Sequence, residues 1–324
     1  MGRGPAGSPG GLEVLSPEKR ASNLASFLQV CRFPPASDYE GDGKVNLATW
    51  TSSGSAVGTW SVTSTSTGGK LLALPKLGVA GDVPVPGDYD GDGKTDQATW
   101  NPATGIWTVT LSSTNKTATT TLAANKGEVA VPGDYDGDGR TDMATWNQTT
   151  GVWTVLPSSD PKKTPVTVHL GQTGDTPVPG DYDGDGRTDA ATWNPNSGVW
   201  TIIFSSDPKR TPVPVSLPAQ KGQTAVPGDY DGDGQTDVAT WNPNTGVWSV
   251  ILSSTGVNQP VAVATLGGKG DIPVPIDFDG DGRTDVATWR DGKWSIIPSS
   301  DLTRTPVTIP LGTAADVPLP RSPH

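Results

Sequence analysis

The chain has few of the residues on which most catalytic sites depend. Its 324 residues include one cysteine, Cys31, and two histidines, His169 and His324. A single cysteine cannot form an intrachain disulfide, which excludes a cysteine-stapled secreted module. Because a Ser-His-Asp or Cys-His arrangement has no cluster of residues to draw on, we expect no enzymatic activity.

Long hydrophobic runs and basic surfaces are also missing. Without an apolar stretch of about 18 residues, the sequence predicts no membrane-spanning segment. Phosphate-binding glycine loops and basic segments interleaved with aromatic residues are absent, so no nucleic-acid partner is expected. The chain has 23 Lys and Arg against 34 Asp and Glu, which leaves a net charge of −11. This acidic excess has a local origin.

The acidic residues are concentrated in a recurring nine-residue stretch whose first complete copy, residues 88–96, reads DYDGDGKTD. Aspartates occupy positions 1, 3, 5 and 9 of this loop. Calcium takes six to eight oxygen ligands, and a D-x-D-x-D-G start supplies three carboxylates followed by a glycine for the sharp turn. The backbone carbonyl at position 7 adds a further oxygen. Magnesium is smaller and keeps more of its water, so calcium is favoured.

Five complete copies predict five calcium sites. In the order of positions 1, 3, 5, 7 (backbone carbonyl) and 9, the predicted ligands are Asp88, Asp90, Asp92, Lys94 and Asp96; Asp134, Asp136, Asp138, Arg140 and Asp142; Asp181, Asp183, Asp185, Arg187 and Asp189; Asp229, Asp231, Asp233, Gln235 and Asp237; and Asp277, Asp279, Asp281, Arg283 and Asp285. A degraded copy offers Asp38, Glu40, Asp42 and Asn46. Because Glu40 is one methylene longer and Asn46 is neutral, we expect this site to be weaker or empty. The predicted cofactor is therefore five to six calcium ions.

An EF-hand is the main alternative for such a loop. Its loop ends in a bidentate Glu at position 12 and is flanked by helices. Here position 12 is Thr99, and the Ala-Thr-Trp around it is typical of a strand. A plain Asp-Gly turn with solvated acids would explain one copy, but recurrence favours metal binding.

The repeat predicts the fold. The first aspartates of successive loops are 46 to 50 residues apart, which is the length of one four-stranded β-propeller blade. We therefore predict an all-β propeller over residues 33–320 with six blades, or seven if an N-terminal part is missing. Residues 1–32 lie outside the repeat and are predicted to form a disordered tail; their short, interrupted apolar patch matches an export signal only weakly.

Each unit divides into short strands. The segment 82–86 contains alternating prolines and must be an edge strand, because proline cannot donate to a ladder. After the loop, residues 97–100 and 106–111 predict two strands joined by a Pro- and Gly-containing hairpin, and an irregular outer strand follows. The last such lead-in, residues 316–320, matches residues 82–86. We expect this C-terminal strand to complete or replace the inner strand of the first blade.

Two tryptophans recur at corresponding places in each unit. They are Trp50 and Trp60, Trp100 and Trp107, Trp146 and Trp153, Trp193 and Trp200, Trp241 and Trp248, and Trp289 and Trp294. Their regularity favours a packing role between blades, with the indole N–H bonded to backbone. The alternative is a ring of exposed platforms on which sugars stack.

The unit V-P-G-D-Y-D-G-D-G-[KR]-T-D-x-A-T-W resembles the FG-GAP and VCBS repeats of integrin α-chain propellers and of calcium-binding propeller lectins, over about residues 33–320. The resemblance implies calcium held by the loop between the first two strands of each blade. Clear F-G and G-A-P signatures are missing, which weakens any inference of integrin-like partners.

These features together predict a non-catalytic calcium-binding propeller that acts as an extracellular ligand-binding module. Many weak calcium sites suit the millimolar calcium found outside cells. The first expectation for its ligand is carbohydrate, bound in shallow pockets between blades. The alternatives are a structural or adhesive scaffold that binds an extracellular protein, and an accessory domain of a secreted hydrolase.

Overall fold

The computed structural model describes residues 37–52, 56–65, 67–122, 125–159, 162, 164–256 and 258–319. Within these ranges the chain forms strands, turns and two short 3-10 helices, Ser253–Thr255 and Ser299–Asp301. None of the helices in the described ranges is long and apolar enough to cross a membrane. The predicted tail of residues 1–32, with Cys31, and the C-terminal His324 lie outside the described residues.

Six antiparallel sheets follow one another along the chain as the blades of a β-propeller. Blades 2 to 6 each contain four strands, named here from the inside outwards. Their bounds are β3 Val83–Pro84, β4 Gln97–Asn101, β5 Ile106–Thr110 and β6 Thr117–Thr121; β7 Glu128–Ala130, β8 Met143–Asn147, β9 Val152–Leu156 and β10 Val166–His169; β11 Thr176–Pro177, β12 Ala190–Trp193, β13 Val199–Ile203 and β14 Val213–Ser216; β15 Thr224–Ala225, β16 Val238–Trp241, β17 Val247–Ile251 and β18 Val261–Thr265; and β19 Ile272–Pro273, β20 Val286–Arg290, β21 Lys293–Ile297 and β22 Val307–Pro310.

Blade 1 joins the two ends of the ring. Its strands β1 Ala48–Thr51 and β2 Thr59–Val62 come from the start of the repeat region, and its inner strand β23 Val317–Leu319 comes from the end of the chain. β1 pairs with β23 in antiparallel register. The prediction that the C-terminal strand completes the first blade is confirmed. The propeller therefore has six blades and not seven.

The inner strands are short edges, as the prolines predict. β3 pairs only with β4, and Pro84 lies opposite Thr99 in that pair. The second and third strands carry the longest ladders; β4 pairs with β5 over five residues. Proline is tolerated in β3 because one side of an edge strand needs no donor.

The tryptophans form the core. None of the twelve is more than 4 % exposed. Within a blade the two rings lie opposite each other on the second and third strands, as Trp146 does with Trp153, and their centroids are 6.3 Å apart. Both indoles of this pair donate to the Leu170 carbonyl, at 2.9 and 3.3 Å. The packing role is confirmed, and the tryptophans provide no exposed platform for sugar rings. The expectation that each indole N–H bonds to backbone is wrong for five of them, because packing alone holds these rings; they are Trp100, Trp107, Trp193, Trp200 and Trp294, whose N–H groups are buried without a hydrogen-bond partner among the described residues.

Each blade also packs on the next. Val238 and Ile251 of blade 5 belong to the core cluster of blade 4. At the junction of the chain ends, the buried Leu47, which precedes β1, packs with Val274 and Ala287 of blade 6. The hydrophobic core is thus continuous across the junction where the ring closes.

Candidate metal sites

The five complete nine-residue loops connect the inner strand to the second strand of blades 2 to 6, so all of them lie at the same end of the blades. The connection between the third and fourth strands returns to that end. In blade 2 an isolated bridge between Gly87 and Asp96 closes the loop at its base. We call these segments the metal loops and number their positions 1 to 9 from the first aspartate.

Position 1 organises the curl of each metal loop. Asp88 Oδ1 accepts the backbone N–H of Gly91 at 2.7 Å, and its Oδ2 accepts that of Gly93 at 2.9 Å. Both glycines adopt left-handed backbone, with φ of 78° and 82°, a region that side chains rarely enter. The Gly-x-Gly spacing is therefore what lets the chain wrap around one carboxylate.

Three carboxylates meet in each of the five complete loops. Those at positions 1, 3 and 9 each offer an oxygen, and the three oxygens lie within 4.8 Å of one another. The groups are Asp88, Asp90 and Asp96; Asp134, Asp136 and Asp142; Asp181, Asp183 and Asp189; Asp229, Asp231 and Asp237; and Asp277, Asp279 and Asp285. A hard divalent cation takes carboxylate oxygens in such a geometry, so the donor set fits calcium.

Position 5 lies outside these groups of three. Asp92 accepts the backbone N–H of Lys94 at 2.9 Å with one oxygen and the Ser112 hydroxyl at 2.7 Å with the other. The corresponding Asp138, Asp185, Asp233 and Asp281 also accept a position-7 N–H and a serine hydroxyl. The predicted ligand role of position 5, and that of the position-7 carbonyl, stays a prediction.

Burial disfavours the ionised form of these carboxylates when no cation is bound. The pKa of Asp96 is raised to about 6, mainly by desolvation and also by the charge of Asp90, although the N–H groups of Ser112 and Tyr89 oppose the shift. The other position-9 residues, Asp142, Asp189, Asp237 and Asp285, also have a pKa of about 6, with burial as the main cause. A bound cation would restore their ionised form.

A serine pair supports every complete loop and was not singled out from the sequence. In blade 4, Ser205 donates its N–H to Asp189 Oδ1 at 2.7 Å and its hydroxyl to Asp185, while the Ser206 hydroxyl donates to Asp183. The equivalent pairs are Ser112 and Ser113, Ser158 and Ser159, Ser253 and Ser254, and Ser299 and Ser300. The available signal was a Ser-Ser doublet that always begins two residues after the third strand ends.

The degraded loop of blade 1 is held by its own side chains. The Asn46 amide donates to Glu40 Oε2 at 3.1 Å and accepts the Tyr39 N–H at 2.7 Å. Glu40 also accepts the Ser64 hydroxyl and the Thr65 N–H. In the described residues, Asp38, Glu40 and Asp42 do not come together as a group of three. The acidic side chain at position 3 is thus held by amide and hydroxyl donors of its own blade, and the expectation that this site is weaker or empty stays a prediction.

Comparisons with known proteins agree with the repeat and the fold. The FG-GAP-like repeat model matches residues 134–192, 181–240 and 229–288. A lectin from Agrocybe aegerita that recognises non-reducing terminal N-acetylglucosamine has a similar structure, with a TM-score of 0.57, 13% identity, and coverage of 85% of this chain and 84% of that one. A 6-phosphogluconolactonase candidate from Bacteroides fragilis gives a TM-score of 0.51, 10% identity, and coverage of 86% and 99%. No curated protein sequence matches significantly. At these identities the likeness concerns the fold alone.

Proposed function

Because the chain is a β-propeller of FG-GAP-like repeats, we propose that it is a calcium-stabilised, non-catalytic module that binds a ligand outside the cell. The observation that carries the proposal is the fivefold recurrence of three converging carboxylates at one end of the blades. Like charges held this close destabilise the loops until a cation neutralises them. Calcium at extracellular concentration would supply that charge.

Carbohydrate is the first candidate for the ligand. The similar fold of a lectin supports it, and repeated blades would give avidity for a repeated glycan. Since the tryptophans are buried, recognition would depend on polar groups of the loops that connect the strands. Hydroxyl and carboxylate side chains can satisfy sugar hydroxyls without an aromatic platform.

A protein-binding scaffold is the second candidate, and the burial of all twelve tryptophans favours it. The large hydrophobic side chains exposed in the described residues are aliphatic, such as Leu71, Val166 and Val261. They are dispersed over blades 1, 2, 3, 5 and 6. Such a surface would suit a partner that contacts several blades at once.

The proposal of a non-catalytic role rests on where the titratable groups lie. His169 is exposed on the outer strand β10. The carboxyl groups with a clearly raised pKa, at positions 1 and 9, all belong to the metal loops. Calcium requires these groups to be ionised, so they are poor candidates for an acid–base pair.

A glycan array tests the ligand class. The purified protein is screened in millimolar calcium and again in EDTA, and its melting temperature is measured in both. We expect calcium to raise the melting temperature and saturable glycan binding to vanish with chelator. A blank array from calcium-stabilised protein would favour the scaffold, whereas an unchanged melting temperature would overturn the calcium sites.

A further inference from the structure

Adjacent metal loops are joined by a backbone hydrogen bond that recurs five times. The N–H at position 8 of one loop donates to the carbonyl at position 1 of the preceding loop. The donors and acceptors are Thr95 and Asp38, Thr141 and Asp88, Thr188 and Asp134, Thr236 and Asp181, and Thr284 and Asp229, at 2.5 to 2.6 Å. Each bond therefore connects a residue that lies beside the metal ligands of one blade to a metal ligand of the blade before it.

The position-8 N–H belongs to the same peptide unit as the position-7 carbonyl. That carbonyl is among the oxygens predicted to reach the ion of its own loop. A peptide unit is planar and rigid, with its C=O and N–H pointing in opposite directions. If the peptide unit is oriented so that its C=O reaches the ion of its own loop, its N–H is therefore also directed towards the neighbouring loop.

Two side-chain contacts reinforce this bond. In the first four complete loops the residue before position 1 is a glycine that lies against the position-8 threonine of the next blade: a methyl group on Gly180 would be 2.8 Å from Thr236 Cγ2. The position-7 side chain lies over the glycine at position 4 of the preceding loop: a methyl group on Gly91 would be 3.1 Å from Arg140 Cγ. The loops are thus in direct contact along the ring.

The contact is broken where the ring closes. Ile276 stands where the other complete loops have glycine before position 1, and Val45 stands where they have threonine. Among the described residues, no backbone hydrogen bond joins Val45 N–H to the Asp277 carbonyl. A methyl group on Gly280, at position 4 of the last loop, would meet nothing within 4 Å. The five complete loops therefore form a linear array that begins on the self-supported loop of blade 1 and ends at blade 6.

We propose that the position-8 threonines and the glycines before position 1 couple the five metal loops, so that calcium binds cooperatively along this array. The inference rests on the proposed calcium binding. An ion that orders one loop also fixes the peptide unit that donates the hydrogen bond to the preceding loop. The preceding loop therefore loses less conformational freedom when it binds its own ion. Coupling limited to nearest neighbours resembles the interfaces of repeat proteins.

Three glycine substitutions test the coupling. Gly180→Ala forces Thr236 away and splits the array into three loops and two. Gly228→Ala, whose methyl group would meet Thr284 Oγ1 at 2.6 Å, detaches only the last loop. Gly268→Ala is the matched control, since it also lacks a positive φ and its methyl group meets nothing within 4 Å.

Calcium alone is titrated by calorimetry into the calcium-free protein of 324 residues. We expect a Hill coefficient above 1 for wild type and Gly268→Ala. Gly180→Ala should lower the coefficient and weaken the mean affinity by about fivefold or more, and Gly228→Ala should do so to a smaller extent. Adding Thr236→Ala to Gly180→Ala removes the two closest atoms and should restore cooperativity.

The failures of the two proposals are distinguishable. Calcium binding with a Hill coefficient of 1 that Gly180→Ala leaves unchanged would overturn the coupling and leave the proposed function standing. A wild-type protein that binds no calcium would overturn both. If Gly180→Ala does not fold in saturating calcium, the Gly228→Ala and Gly268→Ala proteins decide the question by the same comparison.

Discussion

Ser112 donates its backbone N–H to Asp96 Oδ1 over 2.7 Å and so ties the connection between the third and fourth strands of blade 2 to the most buried carboxylate of its metal loop. The same bond links the serine and the position-9 aspartate in the other four complete blades. Each site therefore consists of a metal loop and of a serine doublet that donates hydrogen bonds to its aspartates.

Removing carboxylates from one loop should act through calcium. Asp181→Ala with Asp185→Ala is expected to lower the melting temperature more in calcium than in chelator, where only the hydrogen bonds that hold the loop are lost. When the free calcium concentration is about 100 times the Kd of a site, binding at that site adds ~2.7 kcal/mol to the free energy of unfolding. This variant should lose that contribution. Asp207→Ala, an exposed aspartate outside the loops, is the control. Equal losses with and without calcium would mean that the loop acids serve only as turn residues.

The stability of the calcium-free protein should fall as pH rises. The folded pKa of about 6 at Asp189 and its equivalents lies above the ordinary carboxyl value of 3.8, so the folded state binds more protons than the unfolded state between about pH 4 and pH 6. This contribution is fully present below pH 3.8 and is lost as pH rises through 6. Calcium should remove the loss, because it stabilises the ionised form.

Denaturant titrations from pH 4 to pH 7, with and without calcium, check this dependence. We also expect calcium affinity to weaken below pH 6, where protons compete for position 9. Calcium-free stability that increases steadily across this range would contradict the assigned burial of the position-9 carboxylates.

Loss of a serine pair should weaken one calcium site. Ser205→Ala with Ser206→Ala removes the hydroxyl donors to Asp185 and Asp183 but keeps the backbone bond to Asp189. Hydrogen bonds to charged groups contribute about 1.5–3 kcal/mol, and less where they are exposed. We expect calorimetry to resolve one site with about tenfold lower affinity. Ser216→Ala, on the outer strand β14, is the control, and matching isotherms for the two variants would refute the role.

The strand that closes blade 1 should be sensitive to truncation of its core residue. Leu319 is 1 % exposed and lies opposite Ala48 in the pair between β1 and β23. Leu319→Ala should cost about 3–5 kcal/mol of unfolding free energy, from lost burial and a residual cavity. Leu302→Ala, at 38 % exposure, should cost far less. Similar losses in denaturant titrations of the two variants would contradict closure through β23.

Much of the fold could be predicted because its signals are local. The period of the loops, the prolines of the edge strand and the paired tryptophans each act within one unit, and one unit is one blade. The closing strand was also predictable, since residues 316–320 repeat the pattern of residues 82–86. The burial of both tryptophans in every unit followed from their regular position in the strands.

The composition of each site was less predictable. The sequence predicts all four aspartates of a loop around one point; the structure brings positions 1, 3 and 9 together, and serine hydroxyls donate to positions 3 and 5. Ser112 and Ser113 are 16 to 23 residues from the carboxylates they contact. No nine-residue window contains that relationship, because it depends on how the third and fourth strands return to the loop.

The sequence by itself determined the blade and its metal loop, because strand alternation, turn glycines and loop spacing act over short distances. The choice of six blades over seven needed the structure, since it depends on the pairing of β1 with β23. Only the tertiary structure decided how the loops relate to one another. The bond between Thr141 and Asp88 joins neighbouring repeats. A side chain at Gly87 would clash with the same threonine. The two residues meet only because the blades pack side by side, so the linear array of loops is a property of the ring and not of any one repeat.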